Sequence, residues 1–98
     1  MNTASDPEIT VADNPAANRF EMHVGGELAA FTNYRLGPNR IVFTHTETED
    51  AFAGHGLGGR LARAVLDDAR ARGLKVVAKC PFVAHYIVEH PEYQDLVE

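Results

Sequence analysis

The chain has one cysteine, Cys80, and no tryptophan among its 98 residues. A lone cysteine cannot close an intramolecular disulfide, so a bridge-stapled scaffold is excluded, and a free thiol fits the reducing cytoplasm. Long apolar runs are missing too. Nothing approaches the ~20 residues of a membrane-spanning helix, and Met1 to Pro7 has neither the basic start nor the apolar stretch of a secretory signal. Basic residues are few: nine Lys and Arg stand against 14 Asp and Glu, for a formal net charge of -5. With the arginines scattered, sequence-independent nucleic-acid binding, which needs massed phosphate contacts, is disfavoured. His55, His85 and His90 lack companion cysteines or carboxylates at ligand spacing, so no metal site is expected. Neither nucleic acid nor membrane is an expected partner.

What is present fits one small domain. A hydrophobic content of 45% is ordinary for a packed core, and the length suits a single unit over residues 9–98 behind a loose segment 1–8 broken by Pro7. A domain this short buries a modest share of its surface, which predicts a monomer or a weak homodimer.

Ile9 to Ala12 reads as a short edge strand before the turn cluster Asp13, Asn14 and Pro15. Phe20, Met22 and Val24 alternate with Arg19, Glu21 and His23, the two-residue period of a half-buried strand, and Gly25-Gly26 reads as a hairpin turn. Leu28, Ala30, Tyr34 and Leu36 share one face of the next segment, which ends at Gly37-Pro38-Asn39. Arg40 to Thr48 is a third segment rich in β-branched residues. The period then changes. Leu57, Leu61 and Val65 recur every four residues, beside Ala62, Leu66 and Ala69, predicting an amphipathic helix of about four turns that stops near Gly73. Val76-Val77-Ala78 is the centre of a short strand, and Pro81 opens a second helix closed by His90-Pro91.

Between the third strand and the first helix lies Gly54-His55-Gly56-Leu57-Gly58-Gly59. The first turn of a helix offers unpaired N–H groups and the positive end of the macrodipole, and glycine lets a phosphate approach where a Cβ would collide. A nucleotide P-loop is disfavoured because Gly59 is followed by Arg60-Leu61 instead of Lys-Ser or Lys-Thr. A dinucleotide fingerprint has its spacing in Gly54, Gly56 and Gly59, yet the preceding meander is not a parallel βαβ unit and no acidic residue ends the later strand. Two readings stay open on these residues alone: an anion-binding turn, or glycines that permit close packing.

At this turn the chain resembles the GNAT superfamily of acyl-CoA-dependent N-acetyltransferases, whose phosphate loop has the pattern Arg/Gln-x-x-Gly-x-Gly/Ala. Here it reads Ala53-Gly54-His55-Gly56-Leu57-Gly58, with Ala53 standing where Arg or Gln is usual. The minimal, YjdJ-type branch is the nearer likeness. It is carried by Asn18-Arg19-Phe20, by His45-Thr46-Glu47-Thr48 running into the glycines, and by Cys80-Pro81-Phe82-Val83 with His90-Pro91-Glu92-Tyr93.

The resemblance implies an α+β fold: a mixed, mostly antiparallel sheet with an N-terminal meander, a central CoA-binding helix, a splayed strand and a C-terminal helix. It implies acetyl-CoA as co-substrate, held by Thr46 and Thr48 on the strand and by Gly54, His55, Gly56, Leu57, Gly58 and Gly59 in the turn. Acetyl would pass to a primary amine, small or on a protein, at a site left open because the chain has no room for acceptor-side helices. The alternative is a CoA-binding module with little turnover. Pro81 independently predicts a break after the last strand, since it has no N–H and keeps Cys80 extended.

Acetyl transfer needs a base for the amine, a polarised carbonyl and a proton for the leaving thiolate. His45 and Glu47 fall on the same face of a regular strand and are the candidate bases. Cys80 sits where the resemblance puts the thioester sulfur, and is either an acyl-accepting nucleophile or a small buried residue at a strand end. The resemblance also puts Tyr86 near the leaving thiolate, while its helical spacing with Phe82 and Val83 equally suits a core position.

Overall fold

Alternating apolar and polar residues build four consecutive antiparallel strands, and the change to a four-residue period adds the helices. The computed structural model describes residues 7–98. β1 (Ile9–Asn14), β2 (Arg19–Val24), β3 (Glu27–Gly37) and β4 (Arg40–Thr48) pair each with the next. α1 (Leu57–Ala71) then returns the chain to β5 (Lys75–Ala78), which lies parallel to β4, and α2 (Pro81–Glu89) leads into a 3-10 turn at Pro91–Leu96. The sheet order is β1-β2-β3-β4-β5, so the expected mixed, mostly antiparallel α+β architecture is the one the chain adopts.

The stripe predicted on α1 is its buried face: Leu57, Leu61, Ala62, Val65, Leu66 and Ala69. All of these but Ala62 close one core with Phe20, Met22, Ala30, Tyr34, Ile41, Phe43 and Val76 of the sheet and Val83 and Ile87 of α2. Each fully buried Leu or Val contributes roughly 1.5–3 kcal/mol. The opposite face of the sheet carries Arg19, Glu21, Phe31, His45 and Glu47, none of them buried.

Several details differ from the sequence reading. β1 runs on through Asp13 and Asn14, because Asn14 pairs with Arg19 and its side-chain amide donates to Glu21 at 3.0 Å. The turn is instead a 3-10 element at Pro15–Ala17 closed by Asn18 in the left-handed region. Leu36, expected on the buried face, is 52% exposed, since it lies beyond the residues of β3 that pair with β2. α2 does close at His90-Pro91 as expected, and beyond it Tyr93 and Leu96 enter the core and Val97 bridges to Val76. Of the segment 1–8 expected to be loose, residues 1–6 lie outside the described residues, while Glu8 accepts a backbone bond from Gly25 at 2.8 Å.

Candidate functional site

β5 is short, and that creates the site. It pairs with β4 only from Arg40 to Phe43, after which the N–H groups of Lys79 and Cys80 both donate to the Phe43 carbonyl, at 3.0 and 2.9 Å. Pro81 then starts α2 and carries the chain away. β4 continues for five more residues, Thr44 to Thr48, with β3 on one edge and, among the described residues, no strand on the other. The expected fork is therefore present. A bulge sharpens it: Asn33 pairs with His45 but Tyr34 with Phe43, leaving Thr44 as the extra residue at the fork's base. Bulges re-aim the residues that follow them.

The ladder determines which backbone groups line the open edge. The Glu49 N–H bonds to Ala29 O at 2.8 Å, so Glu49 faces β3. Antiparallel pairs alternate between bonded and non-bonded, so the N–H and C=O groups of Thr46 and Thr48 turn outward to the fork. These are the two strand residues assigned to CoA from the sequence.

Beyond β4 a 3-10 element (Asp50–Phe52) leads into the glycine turn. Gly54 (φ 83°) and Gly56 (φ 71°) occupy the left-handed region that a Cβ disfavours. Gly56 caps α1 without any side-chain hydrogen bond, and the first turn holds no acidic residue, so its N–H groups are free for an anion. Gly58 and Gly59 do a different job. Phe82 and Tyr86 of α2 pack on them, Phe82 so closely that a Cβ at Gly58 would meet its Cζ at 2.7 Å. The close-packing reading thus holds for Gly58 and Gly59, while Gly54 and Gly56 shape the turn before α1. Leu57 is buried and offers only its backbone. His55 points elsewhere: it is exposed and lines an open cleft of about 340 Å³ with Ile9, Val24 and Phe52.

Three side chains meet at the fork's base. Thr32, fully buried, lies with its hydroxyl 3.0 Å from that of Thr46, and the Cys80 thiol donates to the same Thr46 oxygen at 3.3 Å. Thr32 has no other side-chain partner among the described residues. If Thr46 donated to Thr32, the Thr32 hydrogen would be buried without an acceptor, a cost of roughly 1–3 kcal/mol. Donation from Thr32 avoids this. Thr46 then accepts twice, which uses both its lone pairs, and its own O–H is left free at a half-buried position.

The other face of β4 presents the expected pair of bases. His45 Nε2 lies 3.4 Å from Glu47 Oε1, with both side chains more than half exposed. Phe31, opposite Glu47 in the register, has its ring tilted 6.3 Å from that of His45, and the Arg19 guanidinium lies over the Phe31 ring, 4.4 Å from its centroid. The structure thus brings Thr46 and Cys80 together on the helix side and His45 and Glu47 on the bare side. Tyr86 is half-buried, stacked on His90 at 3.8 Å, and burial pushes its phenol upward, so it stays protonated. Thr32 was missed from sequence: nothing local marks it, because its partner is 14 residues away. Among the described residues no cluster of His, Cys, Asp or Glu is built to hold a metal ion.

The family model described as GCN5-related N-acetyl-transferase matches residues 19–96. Protein NATD1 from Gallus gallus and that from Homo sapiens are each 34% identical to the chain over 85 residues, covering 85% of it and 77% and 75% of their own lengths. Protein NATD1 from Xenopus tropicalis is 28% identical over 85 residues, 85% of this chain and 78% of its own. The NMR solution structure of a GCN5-like protein from Staphylococcus aureus superposes with a TM-score of 0.68 at 31% identity, over 96% of this chain and 90% of that one.

Proposed function

Because the chain belongs to the GCN5-related N-acetyltransferase family, we propose that its fork holds acetyl-CoA and that it transfers the acetyl group directly to a primary amine, small or on a protein. The observation that carries this reading is the open edge of β4 from Thr44 to Thr48, continuous with the uncapped N-terminus of α1. An extended pantetheine arm can pair with Thr46 and Thr48 as a missing strand would, and the pyrophosphate meets the free N–H groups at Gly56 to Gly59. Two chemically different ends of one ligand are thus matched by two adjoining backbone surfaces.

The bare face of the sheet receives the acceptor. His45 and Glu47 stand there to take the amine proton, directly or through water. In this reading Cys80 lines the fork: its buried thiol already donates to Thr46. Ala53, exposed beside the turn, adds no side-chain contact to phosphate, which leaves a CoA-binding module with little turnover as the second reading.

Calorimetry with CoA and acetyl-CoA tests the slot, and absence of heat at millimolar ligand would reject both readings. Thiol release from acetyl-CoA, followed with and without a panel of primary amines, separates them. Amine-dependent release supports the transferase, whereas binding without release leaves the module.

A further inference from the structure

We propose that the Thr46 hydroxyl is the hydrogen-bond donor that holds the thioester carbonyl oxygen of acetyl-CoA as it becomes an oxyanion, with Thr32 and Cys80 as positioning residues. The inference rests on the acetyl-CoA reading above and adds to it a catalytic residue.

The three-residue cluster is a device for aiming one proton. Thr32 donates to Thr46 from a site with no access to solvent, and Cys80 donates to it from across the fork, at 3.0 and 3.3 Å. With both lone pairs engaged, the Thr46 O–H has one direction left, away from its two donors. Thr46 is also where the β4 backbone turns to the open edge, close to the point at which Phe43 ends the pairing with β5. The acyl end of a thioester reaching the fork's base therefore meets a fixed donor that needs no reorganisation, which is what makes such donors effective.

The two faces of β4 divide the reaction. Thr46 projects to the helix side with Thr32 and Cys80, whereas His45 and Glu47 project to the bare side. An amine arriving from the bare face forms its N–C bond while the carbonyl π pair moves to oxygen, and Thr46 stabilises that oxygen without giving up its proton. When the C=O bond re-forms, the C–S bond breaks and its electron pair leaves on sulfur. The ammonium proton passes to His45 or Glu47 before that collapse, and through water it ends on the departing CoA thiolate.

The test is the infrared carbonyl stretch of carbonyl-labelled acetyl-CoA bound to the full chain, read beside its affinity by calorimetry. The bound carbonyl is expected at lower frequency than the free one in wild type and in Thr46→Ser. In Thr46→Val the shift should be lost with affinity held within about threefold. Thr32→Val should shrink it, and Thr32→Ser restore it. Thr46→Ala replaces the valine variant if that one unfolds. A shift that survives in Thr46→Val or Thr46→Ala overturns the assignment. So does an unshifted wild-type carbonyl, or an affinity loss above about tenfold, which would make the hydroxyl a ground-state contact. No binding of acetyl-CoA to wild type would instead overturn the proposed function itself.

Discussion

Phe82 occupies the space that a side chain at Gly58 would need, its Cζ 2.7 Å from where a Cβ would stand. The N-termini of α1 and α2 are thereby brought together at the fork, with the ring packed against Gly58 in the first turn of α1. Phe82 is 42% exposed, so the ring can swing outward if displaced.

Gly58→Ala therefore sets two effects against each other. Alanine gains up to ~1 kcal/mol of helix propensity over glycine, and the displaced ring gives back a comparable amount of packing. Urea denaturation should find stability within about 1 kcal/mol of wild type. In a Phe82→Ala background the clash is gone and the same substitution should stabilise by ~0.5–1 kcal/mol. Additive effects across the double-mutant cycle would show that the two residues do not touch.

Gly56→Ala has a different cost. At φ 71° a Cβ strains the backbone although no neighbour lies within 4 Å. The loss should be ~1–2 kcal/mol by urea denaturation, and Phe82→Ala should not relieve it. An unchanged midpoint would mean that the cap has relaxed into another conformation.

The contrast between these glycines shows what the sequence could carry. Strand periods, the α1 stripe and the Pro81 break were legible because each depends on residues a few positions apart. The pairing of His45 with Glu47 was legible for the same reason, since both follow the bulge. The bulge at Thr44 was not: it is a mismatch between β3 and β4, and it turns Thr46 inward although Phe43 is inward as well. Thr32, Tyr93 and Leu96 depend on partners far along the chain, and the same distance hides from the sequence which of the glycines serve close packing, since α2 is what packs on Gly58 and Gly59.

Two buried phenols predict alkaline sensitivity. Burial first, then donation to Asp13, pushes the Tyr34 hydroxyl up to about 12, and burial with donation to Asp67 pushes Tyr93 to about 12. Both bonds are 2.6 Å long. A pKa raised in the fold means that the stabilisation is complete below the unfolded value of ~10 and is lost as pH climbs through 12. Each phenol should contribute on the order of 2 kcal/mol to that loss. Stability measured from pH 8 to 12 should fall, and Tyr34→Phe with Tyr93→Phe should flatten the decline. An equally steep decline in the double variant would assign it to other groups.

His45 and Glu47 separate chemistry from folding. Their side-chain contact is exposed on both sides, so breaking it should change stability by less than ~1 kcal/mol. As the bases for the amine they should matter far more to turnover: His45→Gln or Glu47→Gln is expected to lower amine-dependent thiol release about 100-fold, with acetyl-CoA affinity unchanged. The larger of the two losses identifies the residue that takes the proton, and the smaller identifies its partner. Cys80→Ala gives the complementary result. It deletes the thiol that donates to Thr46, so direct transfer predicts a loss no larger than about tenfold and no acetyl group on the wild-type thiol by mass spectrometry. An acetylated Cys80 that discharges onto added amine, together with a Cys80→Ala variant as inert as the His45 and Glu47 variants, would replace direct transfer with a covalent route through the fork.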